Sequence, residues 1–194
     1  KNNPNYADLK LGYAQIEGPF GKFLAGRARC LFSRGASDIN TKYAYLYAVG
    51  FPAKIDENGP SAGMVGFGVM GSGWAGSLQY ATPELAGLQL TVGIFDPIRN
   101  QAGGFHRTKY PRPEGELRYK LEFGRSGLIE PFVNGAYQKI YKGGHCDPDA
   151  PLQPGVDSDP GLCDITAYGV GYGTRFEYGP FHLGVTGFLG DGLG

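Results

Sequence analysis

The stretch from residue 116 to residue 123 reads ELRYKLEF and alternates charged and apolar side chains at every step. A period of two places the charged set on one face of a β-strand and the apolar set on the other. A helix is excluded, because its period would scatter the apolar side chains and leave no apolar stripe to bury. Two environments fit such a strand: a soluble sandwich around an apolar core, or a membrane barrel with lipid outside and water inside.

The composition favours strands, and the length favours one domain. Glycine (34), tyrosine (13) and phenylalanine (12) are enriched, and the charged fraction is only 19%. That mixture is typical of strands and turns. No long linker or charge block divides the 194 residues, so we expect a single β domain over residues 1–194. The 18 basic and 18 acidic side chains balance, which argues against a nucleic-acid partner.

Hydropathy excludes a membrane helix but leaves both β environments open. The sequence contains no run of about 18 apolar residues, the length that a transmembrane helix needs. A mean hydropathy of -0.26 fits a soluble protein and equally a barrel, whose strands alternate. The first residues, KNNPNYADLK, have no apolar segment of the kind found in signal peptides. We therefore expect either a mature chain or a fragment.

Eight candidate strands are connected by two kinds of segment. Short turns, at EGPFG, TPELAG, GRSG and the Gly179-Pro180 pair, join the strands into four hairpins. Long segments rich in Gly, Pro and Asp, residues 34–72, 96–113 and 141–164, join one hairpin to the next. The predicted strands span residues 6–16, 22–32, 74–81, 88–95, 116–123, 129–140, 165–178 and 181–189.

The strict alternation of short turns with long loops favours the membrane environment. A sandwich gives no reason for this segregation, whereas a transmembrane barrel has short turns on one side and longer loops on the other. Strands of roughly 9 to 12 residues also match a tilted span of the hydrocarbon layer. We therefore predict an all-β fold, a transmembrane antiparallel β-barrel, with charged faces toward interior water and apolar faces toward lipid.

Two stretches resemble a known family. Gly26 and Arg27 lie in a strand that runs into a long loop, and residues 77–95, SLQYATPELAGLQLTVGIF, place an aromatic, a small residue and Pro before Gly and alternating apolar residues. This arrangement resembles the general porins of Gram-negative bacteria, which are trimers of sixteen-stranded barrels. The resemblance implies a homotrimer in the outer membrane, in contact with the bilayer and lipopolysaccharide. It also implies a water-filled channel for passive diffusion of small hydrophilic solutes and ions.

The resemblance also suggests which part of a barrel the chain forms. In that family the long loop after the fifth strand folds into the lumen and makes the constriction, and residues 34–72 occupy the corresponding place. Residues 22–32 would then be the fifth strand and 181–189 the eleventh. The chain ends in GDGLG without a terminal aromatic, so we expect a central fragment of a larger barrel. A complete eight-stranded barrel is the alternative.

A diffusion channel needs no catalytic group, only a narrow wet path whose lining sets selectivity. We expect basic side chains on the wall and at the base of the long loop to oppose loop carboxylates and create a transverse field. Further basic residues in ELRYKLEF would add to a ladder that neighbouring Glu116 and Glu122 neutralise. Interior salt bridges or a solvated face are the alternative. The candidate pore-lining residues are Arg27, Arg29, Arg34, Asp38, Asp56, Glu57, Arg118 and Lys120.

Two of the three cysteines lie in one long loop. A disulfide between Cys146 and Cys163 would close an excursion of 17 residues and stabilise the fold by about 3 kcal/mol. A loop outside the cell fits the oxidising compartment that this requires. We expect Cys30 to be a small apolar residue on the lipid face. The loop carboxylates could hold calcium, although we favour a solvated acidic loop; they are Asp147, Asp149, Asp157 and Asp159.

No cofactor and no enzymatic activity are expected. The three histidines fall in unrelated places, no GxSxG motif occurs, and GVGYG lies inside a predicted strand. Two further functions are alternatives to a porin: a soluble secreted β-sandwich that binds carbohydrate or protein through its long loops, and a small closed structural or adhesive barrel. Aromatic residues that would form girdles at the membrane interfaces are Trp74, Tyr80, Tyr119, Tyr137, Tyr168, Tyr172 and Tyr178.

Overall fold

The computed structural model describes residues 11–32, 34–42, 73–97, 105–142 and 164–192. They form one antiparallel sheet of ten strands and one helix, α1 (Arg34–Lys42). No helix in these ranges is long and apolar enough to cross a membrane. The strands are β1 (Gly12–Gly18), β2 (Gly21–Arg29), β3 (Trp74–Ala81), β4 (Leu88–Phe95), β5 (Phe105–Arg107), β6 (Arg112–Tyr119), β7 (Leu121–Phe123), β8 (Gly127–Lys142), β9 (Asp164–Tyr178) and β10 (Phe181–Asp191).

Neighbouring strands in the sheet follow the order of the chain. The order is β1-β2-β3-β4-β6-β8-β9-β10. The short strands β5 and β7 both pair with β8, on either side of β6, so the three act as one interrupted strand. Among the described strands, β1 and β10 are the two ends of the order and do not pair with each other, so the sheet is open. The predicted all-β antiparallel fold is confirmed.

Two predicted strands have the predicted bounds, and a third is interrupted. The strands predicted at 74–81 and 88–95 have those bounds in the structure. The strand predicted at 116–123 is interrupted at Lys120, whose backbone N–H donates to the carbonyl of Gly87 at 2.7 Å. Lys120 lies between β6 and β7, and its N–H thus bonds to the turn between β3 and β4.

The strand predicted at 22–32 ends early, at Arg29. Beyond it the backbone N–H groups of Leu31 and Phe32 both donate to one carboxylate oxygen of Glu114, at 2.6 Å and 2.8 Å. A side chain of β6 thus takes the place of a partner strand, and the chain continues into α1. The sequence did not predict this helix, because within it only Ala36 and Ile39 carry apolar side chains at helical spacing.

On this sheet many apolar side chains are exposed and many polar side chains are buried, which is the reverse of the usual arrangement. On β6, Leu117 is 39% exposed whereas the neighbouring Glu116 is 1% exposed. We call the two sides the apolar face and the polar face. Exposed side chains of the apolar face include Leu78, Leu88, Leu90, Val92, Ile94, Leu117, Tyr119, Val133, Tyr137, Tyr168, Val170, Tyr172, Leu183 and Val185. Buried polar side chains are Ser77, Gln79, Thr91, Arg112, Glu114, Glu116, Glu130, Asn134 and Gln138.

Helix α1 packs on the polar face, against β9 and β10. Its Ile39 lies against Gly184 of β10, and a Cβ added to that glycine would overlap the isoleucine side chain. A Cβ on Gly35 of the helix would come within 2.5 Å of the ring of Phe132. The small residues therefore set the close approach of helix and sheet. The buried side chains of Phe32, Ala36 and Ala167 form the apolar cluster of this contact.

A second apolar cluster lies where β2 ends, and it corrects the prediction for Cys30. The thiol was expected on the lipid face. Cys30 is instead 1% exposed, and the guanidinium of Arg112 donates to its Sγ at 2.8 Å. The expectation was wrong because the chain turns inward after β2, so that Cys30 packs with Leu31, Ala75 and Phe95.

Candidate functional site: the charged polar face

Arg118 of β6 joins three structural elements on the polar face. Its Nη1 donates to Glu130 of β8 at 2.9 Å. Its Nη2 donates to Asp38 of α1 at 3.2 Å and to Glu116 of β6 at 3.1 Å. Three carboxylates around one guanidinium satisfy most of its planar fork of donors. This arrangement links the helix to two strands of the sheet.

Three further arginines extend the contacts of these carboxylates. Arg29 donates to Asp38 at 2.8 Å, Arg34 pairs with Glu116, and Arg175 pairs with Glu130. Arg175 also approaches Glu177 at 3.5 Å. We call this set the charge network; with four arginines and four acids, its formal charge sums to zero. Its members are Arg29, Arg34, Arg118, Arg175, Asp38, Glu116, Glu130 and Glu177.

Exposure rises across the charge network from the sheet toward the helix. The side chain of Glu116 is 1% exposed, that of Arg118 24%, and that of Asp38 36%. Water therefore solvates the charges on and near α1 more fully than the charges on the sheet.

A separate buried ion pair holds the segment that leads into the helix. Arg112 Nε and Glu114 Oε1 are 2.6 Å apart, and both side chains are 1% exposed. Two buried charges are tolerated only when they are paired and hydrogen-bonded. The second carboxylate oxygen of Glu114 accepts the backbone bonds from Leu31 and Phe32. Glu114 therefore fixes the inward turn of the chain to the sheet.

The structure brings together four of the predicted pore-lining residues. Arg29, Arg34, Asp38 and Arg118 all belong to the charge network. Lys120 is not among them: its ammonium pairs with Glu122 at 2.5 Å, and both side chains are well exposed.

The structure does not place Arg27 with the residues of the charge network. The strand register pairs Arg27 with Gly12 and Gly76. Side chains alternate along a strand, so Arg27 shares a face with Ala25, whose register partner Leu78 is exposed on the apolar face. Arg29 is the last residue of β2, and although it has the same parity, its guanidinium reaches Asp38 of α1 at 2.8 Å. The sequence assigned the alternate residues of β2 to the lipid. They include Ala28, which is buried on the polar face beside the inward-turning segment.

Several predicted residues lie outside the part of the chain that the structure describes. They include the loop acids proposed for the constriction, the disulfide pair and the acidic loop. Within the described ranges, no group of three or more His, Cys, Asp or Glu side chains could hold a metal ion. The predicted residues outside these ranges are Asp56, Glu57, Cys146, Cys163, Asp147, Asp149, Asp157 and Asp159.

The sequence analysis did not identify three charged residues that form ion pairs on the polar face: Arg112, Glu114 and Glu130. Arg112 fell in a predicted loop, although RPEGELRY continues the alternation of charges back from Glu116 to Glu114 and Arg112. That extension was a usable signal. Glu130 stands beside Pro131 at the start of its predicted strand, and no pattern in the sequence linked it to Arg118 or Arg175.

Aromatic side chains mark both ends of the apolar face. Near the short turns, the rings of Phe23 and Tyr80 are 4.6 Å apart, and the Tyr80 hydroxyl donates to the carbonyl of Phe20. Near the long loops, Tyr137 and Tyr168 are register partners. From Tyr168 to Tyr178, β9 extends about 33 Å at its usual rise, or about 25 Å across a bilayer at the roughly 40° tilt of membrane barrels. That span equals the apolar band of such barrels.

No family model matches the chain, and neither does any curated protein or solved structure. Its class is set by the fold and the site: an open antiparallel sheet with an exposed apolar face and a charged polar face on which a helix is docked.

Proposed function

We propose that the protein is an outer-membrane porin, a water-filled channel through which small hydrophilic solutes and ions diffuse passively. The observation that carries this proposal is the reversed burial of the sheet, with apolar side chains exposed and charged side chains buried on the opposite face. A soluble sandwich would pack its apolar faces together. In a membrane barrel, lipid solvates those side chains and water fills the interior.

The proposal requires the open sheet to be part of a closed barrel. Strands β1 and β10 end the described sheet, and no strand among the described residues pairs with their outer edges. In a bilayer each unpaired backbone group costs several kcal/mol, so a spanning sheet must close on itself. We propose that β1 and β10 meet further strands of a larger barrel, which is the arrangement implied by the resemblance to trimeric porins.

The docked helix supports a constriction in this channel. Helix α1 lies on the polar face, where it would narrow the path of water through the barrel. Arg29 and Asp38 are half-exposed members of the charge network at this point. Their opposite charges would act on passing ions and order water, while no catalytic group is needed. Because the network sums to zero, its local arrangement would set ion preference.

The same proposal assigns the partners and location. The apolar face would contact the bilayer of a Gram-negative outer membrane, with its aromatic ends at the two interfaces. Lipopolysaccharide would surround the long-loop side, and a homotrimer would form through part of the apolar face.

Single-channel conductance tests the proposal. The full chain, purified in detergent, is inserted into a planar bilayer under a potassium chloride gradient. We expect stable conductance steps and a measurable reversal potential. Arg29→Gln removes a cation of the charge network and should move the reversal potential toward cation preference. Arg27→Gln makes the same charge change two residues away on the apolar face and should move it little. Silence from correctly inserted protein would contradict the proposal.

A further inference from the structure

The apolar face carries a groove across its first four strands. Register places Ala14, Ala25, Leu78 and Ile94 side by side on β1, β2, β3 and β4. The two alanines leave a depression beside the larger side chains, and the groove encloses about 520 Å³. Almost all of the lining is apolar, so the groove offers few partners for the polar groups of a sugar or a peptide backbone.

A bulky row closes the groove toward the short turns. Ile16, Phe23 and Tyr80 are register partners on β1, β2 and β3, and they stand next to the alanine row. The groove is therefore a slot that opens away from the short turns. A hydrocarbon chain lying along the sheet fits a slot of this shape and polarity.

A cation lies at the open end of the slot. Arg27 follows Ala25 by two residues and stands between Gly12 and Gly76, which have no side chains to cover it. Arg27 is exposed and forms no ion pair with any residue that the structure describes. On a lipid-facing surface an arginine with no counter-charge among these residues is unfavourable, by up to about 2–4 kcal/mol at the midplane. A phosphate would compensate it, since the guanidinium fork matches two phosphate oxygens.

Asp96 is a second charged side chain near this end of the slot. Its backbone N–H donates to the carbonyl of Gly76 at 2.8 Å, and its carboxylate lies over that glycine, since a Cβ there would meet Oδ2 at 2.5 Å. Asp96 and Arg27 thus flank Gly76 on opposite sides. The carboxylate would repel an anion and confine it to the side of Gly12 and Arg27.

We propose that this surface binds a phosphate-bearing membrane lipid, with an acyl chain in the slot and the phosphate on Arg27. The inference rests on the proposed function, because it needs the apolar face to contact lipid. Charge complementarity favours the lipid over a second copy of the chain: an anionic head joined to a hydrocarbon tail matches a cation at the mouth of an apolar slot. The lipid thereby neutralises the arginine and fills the groove.

Lipid titration followed by native mass spectrometry tests the proposal on the full chain in uncharged detergent. The probes are phosphatidic acid, diacylglycerol with the same acyl chains, and inorganic phosphate. We expect phosphatidic acid to bind about tenfold more tightly than diacylglycerol, as one charge-assisted contact allows, and inorganic phosphate alone not to bind. Arg27→Gln should abolish the preference, and Asp96→Asn should increase it.

Two controls separate the site from ordinary solvation by lipid. Lys139 is also a cation of the sheet, but it already pairs with Asp164 at 2.5 Å, so Lys139→Gln should keep the preference. Ala25→Phe fills the slot and should weaken the binding of both lipids. Equal binding of the two lipids, or a preference that survives Arg27→Gln, would overturn the proposal. Binding of inorganic phosphate as tightly as phosphatidic acid would also overturn it. If Ala25→Phe changes only the oligomeric state, the slot belongs to a second copy of the chain and the proposal is likewise overturned.

Channel measurements distinguish this failure from failure of the proposed function. Arg27 lies outside the polar face, so Arg27→Gln should conduct as the unchanged protein does. Lost lipid preference with normal conductance supports both proposals. Normal conductance without any lipid preference in the unchanged protein rejects the lipid site alone.

Discussion

Asp38 of α1 accepts a hydrogen bond from Arg118 of β6 at 3.2 Å, although 80 residues separate them in the sequence. Asp38 also accepts from Arg29 at 2.8 Å. One carboxylate of the helix is thus held by two arginines, one at the end of β2 and one on β6. The place of the helix on the polar face depends on these charges as well as on its apolar contact.

Replacing Asp38 by Asn should alter conduction more than stability. The side chain is 36% exposed, so the loss of its ion pairs should cost only about 1 kcal/mol. Arg29 and Arg118 would then each lose one carboxylate partner beside the proposed water path. We expect the reversal potential to move toward anion preference and the open-channel current to become noisier as the helix loosens.

The matched control is Glu122→Gln, which removes an acid from the exposed pair with Lys120. It should leave both the reversal potential and the noise unchanged. If Asp38→Asn has no larger effect than this control, the charge network does not line the conducting path.

Replacing Glu114 by Ala should be strongly destabilising. The change leaves Arg112 buried without its partner and removes the acceptor for the Leu31 and Phe32 backbone. Breaking one side of a buried ion pair costs about 3–5 kcal/mol. Equilibrium unfolding by urea in detergent micelles measures it. Glu17→Ala breaks an exposed pair with Lys22 and should cost at most about 1 kcal/mol; equal costs would show that the inward turn does not depend on Glu114.

Gly184 and Ile39 should be energetically coupled. Gly184→Ala forces a Cβ against the isoleucine and should destabilise by about 1–3 kcal/mol. Ile39→Ala creates space and should by itself cost about 2–5 kcal/mol. Because the smaller side chain accommodates the new methyl, the double variant should lose about 1 kcal/mol less than the sum. Urea unfolding of all four proteins gives this coupling energy.

Gly115→Ala is the control for that cycle. The nearest atom to a Cβ at Gly115 is the Thr91 carbonyl oxygen at 3.8 Å, an ordinary contact. The change should cost no more than about 0.5 kcal/mol and should add to Ile39→Ala without coupling. Strict additivity at Gly184 would mean that the helix does not rest on this glycine.

Cys30 should be an unreactive thiol in the folded protein. Burial, more than any other factor, raises the pKa of the Cys30 thiol, so the thiolate is scarce at neutral pH. In the variant with Cys146→Ser and Cys163→Ser, we expect alkylation to be slow until the chain is unfolded. Fast alkylation at pH 7 in the folded state would place the thiol at an accessible surface.

The raised pKa also fixes the sign of a pH dependence. The unfolded thiol ionises first as the pH rises, so the contribution of Cys30 is fully present below the ordinary thiol range and is lost above it. Cys30→Ala lacks this group. The difference in unfolding free energy between the two proteins should therefore shrink as the pH is raised through that range, and a constant difference would contradict it.

Alternation along the chain is a local signal, so it predicts strands but not contacts between residues that are far apart in the sequence. It placed β3 and β4 with their observed bounds and the all-β fold correctly. It could not decide which alternate set of β2 lies on the apolar face, because Ala28 and Cys30 are apolar yet are buried where the chain turns inward. It also missed the contact of Asp38 with Arg118, since nothing in the local pattern of either residue identifies a partner so far along the chain.

Site-directed fluorescence quenching along β10 tests most directly whether the apolar face meets lipid. Single fluorophores at Leu183 and Val185 report on that face, and fluorophores at His182 and Thr186 report on the other, as their register with β9 requires. In vesicles, we predict that nitroxide lipids quench 183 and 185, whereas a water-soluble quencher reaches 182 and 186. Quenching by the soluble agent at all four positions, without alternation, would contradict a membrane-spanning sheet.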